Sequence, residues 1–148
     1  MSPGRLALLA QLASTLPLVG LTWLVQVLVY PQLARVGASE FPAYHAAHAR
    51  LVTYVVAPLM VMELMASLGG LAATDPIVPR WLSAVGAGLA IGTWAVTFFL
   101  AVPQHAVLSR GFDPRAHELL LAANALRTAL WTLRGGLLVT IVARALPS

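Results

Sequence analysis

The chain has 148 residues, of which 59% are hydrophobic and only 9% charged, with a formal net charge of +4. An average soluble domain carries roughly 25% charged residues, and the mean hydropathy of this chain is +0.84. Those values exclude a soluble enzyme, a nucleic-acid binder and a disordered protein; the length suits a single membrane domain, residues 1–148, with about four helical crossings of ~20 apolar residues each.

Cysteine is absent, which removes disulfides, thiolate metal sites and CxxC redox chemistry. All nine basic residues are arginines, at 5, 35, 50, 80, 110, 115, 127, 134 and 144. They form no basic stripe, and most fall between apolar runs, at the level of phospholipid headgroups. A composition rich in Ala, Arg, Leu and Gly and free of Lys points to a GC-rich bacterial genome, and with the apolar spans the expected location is a bacterial inner membrane, crossed several times.

Residues 6–34 carry no charge and predict a first helix over about 6–30. This run is too long for a signal-peptide core and is followed by no small-x-small cleavage site, so it reads as a retained helix with a kink at Pro17. A loop follows through Pro31 and Gly37. The second helix is expected over about 42–73, capped by Ser39, with Pro42 in its first turn and Pro58 inside. Thr74-Asp75-Pro76 marks a short turn. The third helix is expected over about 81–106, bent or ended by Pro103. It contains Ala84-x3-Gly88-x3-Gly92, a row of small residues that suits a packing seam in the bundle or a homo-oligomer contact through Gly88 and Gly92. Asp113 as N-cap and Pro114 at the first position open a fourth helix, over about 114–146. The fold class is therefore all-α, a four-helix transmembrane bundle with N and C termini on the same side. Three arginines on the terminal side against four on the other lean weakly toward a cytoplasmic location for the latter.

That topology gathers all four histidines at one end. His45 and His48 open the second helix, His105 ends the third and His117 begins the fourth; Gln26, Tyr30 and Tyr44 share the level. On the fourth helix, at 100° per residue, Asn124, Arg127, Trp131 and Arg134 fall within an arc of about 80°. A charged side chain at a helix centre costs at least ~2.5 kcal/mol in lipid, so this stripe must face inward. Thr15, Thr22, Trp23, Gln26 and Tyr30 form a matching face on the first helix. Glu63 is the one acid expected within the membrane, at about the depth of Arg134, and a structural ion pair Glu63–Arg134 is predicted. Arg127 has no acid at its level and needs backbone carbonyls, Gln26, Asn124, a tyrosine or a ligand. Together these faces predict a polar cavity running from the histidine end toward the middle.

Each of these groups has two readings. His45, His48, His105 and His117 are either ligands of a metal or a haem, or interfacial side chains that bond water and headgroups; no HExxH or ExxH string is present. An arginine fork suits a carboxylate, a phosphate or an enolate-like oxygen. Arg134 reads as structural and Arg127 as functional, because only Arg134 has an obvious partner. Glu63 is a proton carrier or an ion-pair partner. Trp23, Trp94 and Trp131 stack on a flat ligand or simply pack.

Several strings resemble those of small four-helix bacterial membrane proteins: Gln26-x3-Tyr30-Pro31, Phe41-x2-Tyr44-His45-x2-His48, Pro58-x-Met60-x2-Glu63, Pro103-x-His105 and Asn124-x2-Arg127-Thr128-x2-Trp131-x2-Arg134. More distantly, the layout of nearly the whole chain is similar to the anthrone-oxygenase-like family of membrane proteins. The resemblance implies oxidation of an aromatic, lipid-soluble substrate, and its helix-four pattern extends to Asn124, Arg127 and Trp131. The histidines of the second helix have no counterpart in it.

The expectation is an oxidoreductase or oxygenase-like membrane protein acting on a hydrophobic aromatic or quinone-like molecule. Arg127 and Asn124 would hold a substrate oxygen as its negative charge grows. One of His45, His48 or His105 would move a proton or ligate a metal. Gln26, Tyr30 and Trp131 would contact the substrate. The alternatives are a small permease-like or ligand-binding membrane protein, and an accessory subunit of a membrane complex.

Overall fold

The computed structural model describes residues 2–73 and 78–145; the expected turn at Thr74-Asp75-Pro76 and the end of the fourth helix at Leu146 lie outside them. Four helices account for most of the chain: α1 (Pro3–Leu33), α2 (Phe41–Ala72), α3 (Arg80–Leu108) and α4 (Pro114–Ala145). No strand occurs among the described residues. Each helix is long and apolar enough to cross a bilayer. Leucines, valines and phenylalanines cover the outside, among them Leu24, Val27, Leu51, Phe98, Phe99 and Leu133. This is an inverted surface for a water-soluble protein and the ordinary one for a protein solvated by lipid tails. The fold is the expected all-α transmembrane bundle.

Neighbours in sequence are neighbours in space. The main packing runs α1 on α2, α2 on α3, α3 on α4 and α4 on α1, a closed ring of antiparallel helices. Helices on opposite corners of the ring are bridged at the centre by polar side chains, described below.

Helix ends follow local chemistry, with two departures from expectation. Asp113 caps α4 as predicted, its Oδ1 accepting from the Ala116 backbone N–H at 2.7 Å. Ser39 does not cap α2; Glu40 holds the cap position and makes no side-chain capping bond. The preceding turn already supplies the need, since the Phe41 N–H donates to the Gly37 carbonyl at 2.9 Å and Pro42 has no N–H to satisfy.

The second departure concerns Pro31, expected in a loop but lying inside α1; Pro103, expected to bend or end α3, does not end it. Each is preceded by a π-helical turn, Val25–Val29 in α1 and Thr97–Ala101 in α3, after which the chain continues to Leu33 and Leu108. Proline lacks an N–H and its ring crowds the carbonyl four residues back. A wider turn relieves both conflicts without stopping the helix. Inside α1 and α2, Pro17 and Pro58 sit in uninterrupted α-helix.

The row of small residues in α3 mostly faces outward. Ala84 and Gly88 are exposed, a Cβ on Gly88 would meet open space, and one on Gly92 would touch Leu130 at 3.6 Å. The close approach is at Gly86, where a Cβ would lie 3.0 Å from Arg134 Nη1. Gly86→Ala therefore lowers thermal stability in detergent, by about 1–3 kcal/mol if the arginine is displaced. Gly88→Ala leaves it unchanged or slightly higher, because alanine is the better helix former. Equal loss at both positions would contradict this packing.

Candidate functional site

A column of polar side chains runs along the bundle axis. Its base is Arg134, which is fully buried. Arg134 Nε lies 2.9 Å from Glu63 Oε1, the ion pair sought from the sequence, and 3.3 Å from Thr15 Oγ1. Nη2 donates to Gln11 Oε1 at 2.9 Å and Ser67 Oγ at 2.6 Å, and Nη1 donates to the Gly86 carbonyl. These partners come from α1, α2 and α3, so one guanidinium on α4 joins all four helices. Glu63, itself fully buried, also accepts from Thr15 Oγ1 at 2.7 Å and, on Oε2, from Trp131 Nε1 at 2.9 Å.

Trp131 forms the next layer. It is fully buried against Leu18 and Met60. Its indole ring supports Arg127, whose guanidinium carbon stands 5.0 Å from the ring centroid. The ring therefore carries a cation and is not open for a ligand to stack on, which corrects the role expected for Trp131. Trp23 is likewise no part of an inner face; it is half exposed and donates from Nε1 to Thr132 Oγ1 at 3.1 Å.

Arg127 is 7% exposed. It makes no hydrogen bond with any described residue, and its Nε is buried without a partner. Beside it, Asn124 Nδ2 donates to Gln26 Oε1 at 2.8 Å and to the Thr22 carbonyl at 3.2 Å. Both amide N–H groups of Asn124 are thus committed to α1. Its remaining capacity is as an acceptor, so Asn124 is not the second donor to a substrate oxygen that was expected. Gln26, engaged in the same bond, acts by holding Asn124.

Arg127 and Asn124 line a cavity of about 120 Å³ to which all four helices contribute, with Thr22, Tyr30, Thr97 and His105 among its other walls. Engineered cavities of roughly 150 Å³ accept a benzene ring, so the space suits one ring. At its far end Tyr30 Oη lies 3.2 Å from His105 Nε2, and His105 Nδ1 lies 3.1 Å from His45 Nε2. Tyr30 and His105 follow the two π-turns and meet across a diagonal of the bundle, as Glu63 and Arg134 do across the other.

The histidine cluster therefore divides. His45 and His105 bond each other, and His45 stacks on Phe41 at 5.7 Å. His48 packs edge-on against Tyr30 at 6.0 Å, with Nε2 buried and unpartnered. His117 turns away and donates from Nε2 to the Tyr30 carbonyl at 2.7 Å, satisfying an acceptor in the last turn of α1. The expected metal or haem centre does not fit this arrangement. Two of the ring nitrogens a metal would need face each other at hydrogen-bond distance. No group of three His, Asp or Glu among the described residues has metal-site geometry, and a one-ring cavity has no room for a macrocycle.

No family model, curated protein or solved structure matches the chain.

Sequence reasoning missed Gln11, Ser67 and the Gly86 carbonyl. Ser67 was legible as the residue one turn beyond Glu63, and Gln11 as one turn before Thr15. A main-chain carbonyl leaves no such signal. Removing one partner of a buried pair typically costs about 3–5 kcal/mol. Glu63→Gln and Arg134→Gln are each expected to lower thermal stability in detergent by that order, with the double variant far from additive. An unchanged melting temperature in Glu63→Gln would contradict the pairing.

Proposed function

We propose that this integral membrane protein binds a lipophilic, oxygen-bearing ring, phenol- or quinone-like, and exchanges a proton with it. The observation that carries the reading is Arg127: a buried cation in a lipid-solvated bundle, with no acid partner and no hydrogen bond among the described residues, lining a one-ring cavity. A desolvated charge without a counter-group is costly. A ligand oxygen bearing full or growing negative charge would meet that need, and the guanidinium fork suits it.

Tyr30, His105 and His45 would move the proton. The chain has two consistent polarities. In one, Tyr30 donates to His105 Nε2, His105 donates from Nδ1 to His45, and the free N–H is on His45 Nδ1, the buried unpartnered atom. In the other, His45 donates to His105, His105 donates to Tyr30, and the Tyr30 hydroxyl is free to donate into the cavity. The first polarity presents the Tyr30 oxygen to the ligand as an acceptor and the second presents its hydroxyl as a donor, so the same chain serves a ligand hydroxyl or a ligand oxygen.

The resemblance to anthrone-oxygenase-like proteins extends this reading to an oxidoreductase. An activated ring methylene deprotonated here becomes an enolate whose oxygen lies against Arg127, and dioxygen is the oxidant. Overall the CH2 group and O2 give C=O and water, which balances without a bound cofactor.

Binding is favoured over passage by one feature. Below the cavity, the packed layer of Trp131, Glu63 and Arg134 blocks the column. Transport would require breaking the bonds that join the helices.

The test is binding of 2,3-dimethoxy-5-methyl-1,4-benzoquinone and of phenol, read as a rise in melting temperature. At least one should bind, Arg127→Gln should weaken it by about tenfold or more, and Tyr30→Phe should weaken it less. Binding indifferent to Arg127→Gln, or no binding of either, would overturn the reading.

A further inference from the structure

Beside the cavity, on the lipid-facing side of α1 and α2, lies an open groove of about 380 Å³. Its walls are almost wholly apolar, with Leu24, Leu51 and Val55 exposed along it. Three of its residues, Leu21, Val25 and Val52, also line the cavity that holds Arg127. The two spaces therefore share a hydrocarbon wall, with the polar groups of the cavity on its other sides. Tyr44 and His48 mark the end of the groove nearest the histidine cluster.

We infer that the ligand is a tailed lipid, a single oxygenated ring carrying an alkyl or isoprenoid chain, whose ring enters from the bilayer between α1 and α2 and whose chain stays in this groove. The inference rests on the binding reading above and narrows its substrate class. The inner cavity has room for one ring and none for a chain. A chain leaving it past Leu21, Val25 and Val52 arrives in a groove open to lipid. Hydrocarbon gains little by leaving lipid for an apolar groove, since acyl tails are as apolar as leucine. The groove thus supplies direction and a path of entry, while the affinity resides in the ring.

A second apolar hollow, formed by Leu64, Ile91, Trp94 and Phe98 on α2 and α3, shares no residue with the cavity and serves as the internal control. The probe is the same dimethoxy-methyl-benzoquinone bearing a decyl chain with a mid-chain diazirine, photolysed with the protein in phosphatidylcholine nanodiscs. Labelled positions are mapped by mass spectrometry.

Labelling of Leu24, Leu51 and Val55 should exceed that of Ile91 and Phe98 by about tenfold. Excess tail-less quinone should suppress it. Leu51→Trp should reduce it while leaving the melting-temperature shift given by the tail-less quinone unchanged. If the tail-less quinone binds but the labels spread evenly over both faces, or resist competition, the tailed-lipid inference falls alone. If neither the tail-less quinone nor phenol binds, or Arg127→Gln makes no difference to the one that does, the binding reading falls first and takes this inference with it; if phenol alone binds, the tailed-lipid inference falls alone.

Discussion

Arg134 sits where a charge should not survive, at the centre of a bundle whose outside is hydrocarbon. It remains because five groups converge on it: the Glu63 carboxylate, the Gln11 amide, the hydroxyls of Thr15 and Ser67, and the Gly86 carbonyl. The hydrophobic effect gives helices in lipid little reason to associate. What holds these four together at this level is the requirement that one guanidinium be surrounded. The dependence is mutual, since the cage exists only when α1, α2 and α3 meet α4 in this register.

The same helix presents a second arginine under different terms. Arg127 lies two turns away, supported by the Trp131 ring, whose N–H is held by the same Glu63 that neutralises Arg134. One carboxylate thus pairs with one arginine directly and orients the platform of the other. The result is a cation that is positioned but not satisfied, next to a cavity. Two neighbouring arginines of one stripe are thus divided by which of them Glu63 reaches.

The four crossings, the inward stripe of α4 and the Glu63–Arg134 pair were legible because lipid imposes harsh rules. Long uncharged runs have few alternatives to helix, and a buried acid and arginine at equal depth have few alternatives to each other. The finer errors share a cause. Trp131 was assigned to a ligand because its face is shared with Arg127, yet sharing a face is what let the arginine occupy its ring. Asn124 was expected to donate to a substrate, but its N–H groups were needed by Gln26 and the Thr22 carbonyl. The four histidines reached one end of the bundle as topology required, and rotamers then divided them: His45 and His105 bond each other, His48 packs on Tyr30, and His117 bonds a backbone carbonyl. Composition and spacing carry depth and face; they do not carry which of several neighbours a polar atom selects.

The π-turns have a consequence for how the site is aimed. A turn with one residue too many shifts the angular phase of everything after it by roughly 100° relative to plain α-helix. Tyr30 and His105 each come shortly after such a turn, and their hydroxyl–imidazole contact depends on both phase shifts at once. Rewinding either turn as plain α-helix with every residue kept would rotate that side chain by roughly 100° and part the two groups, while the lower half of the bundle kept its register. The meeting of these two groups thus depends on a pair of wide turns holding their winding, in helices that stand on opposite corners.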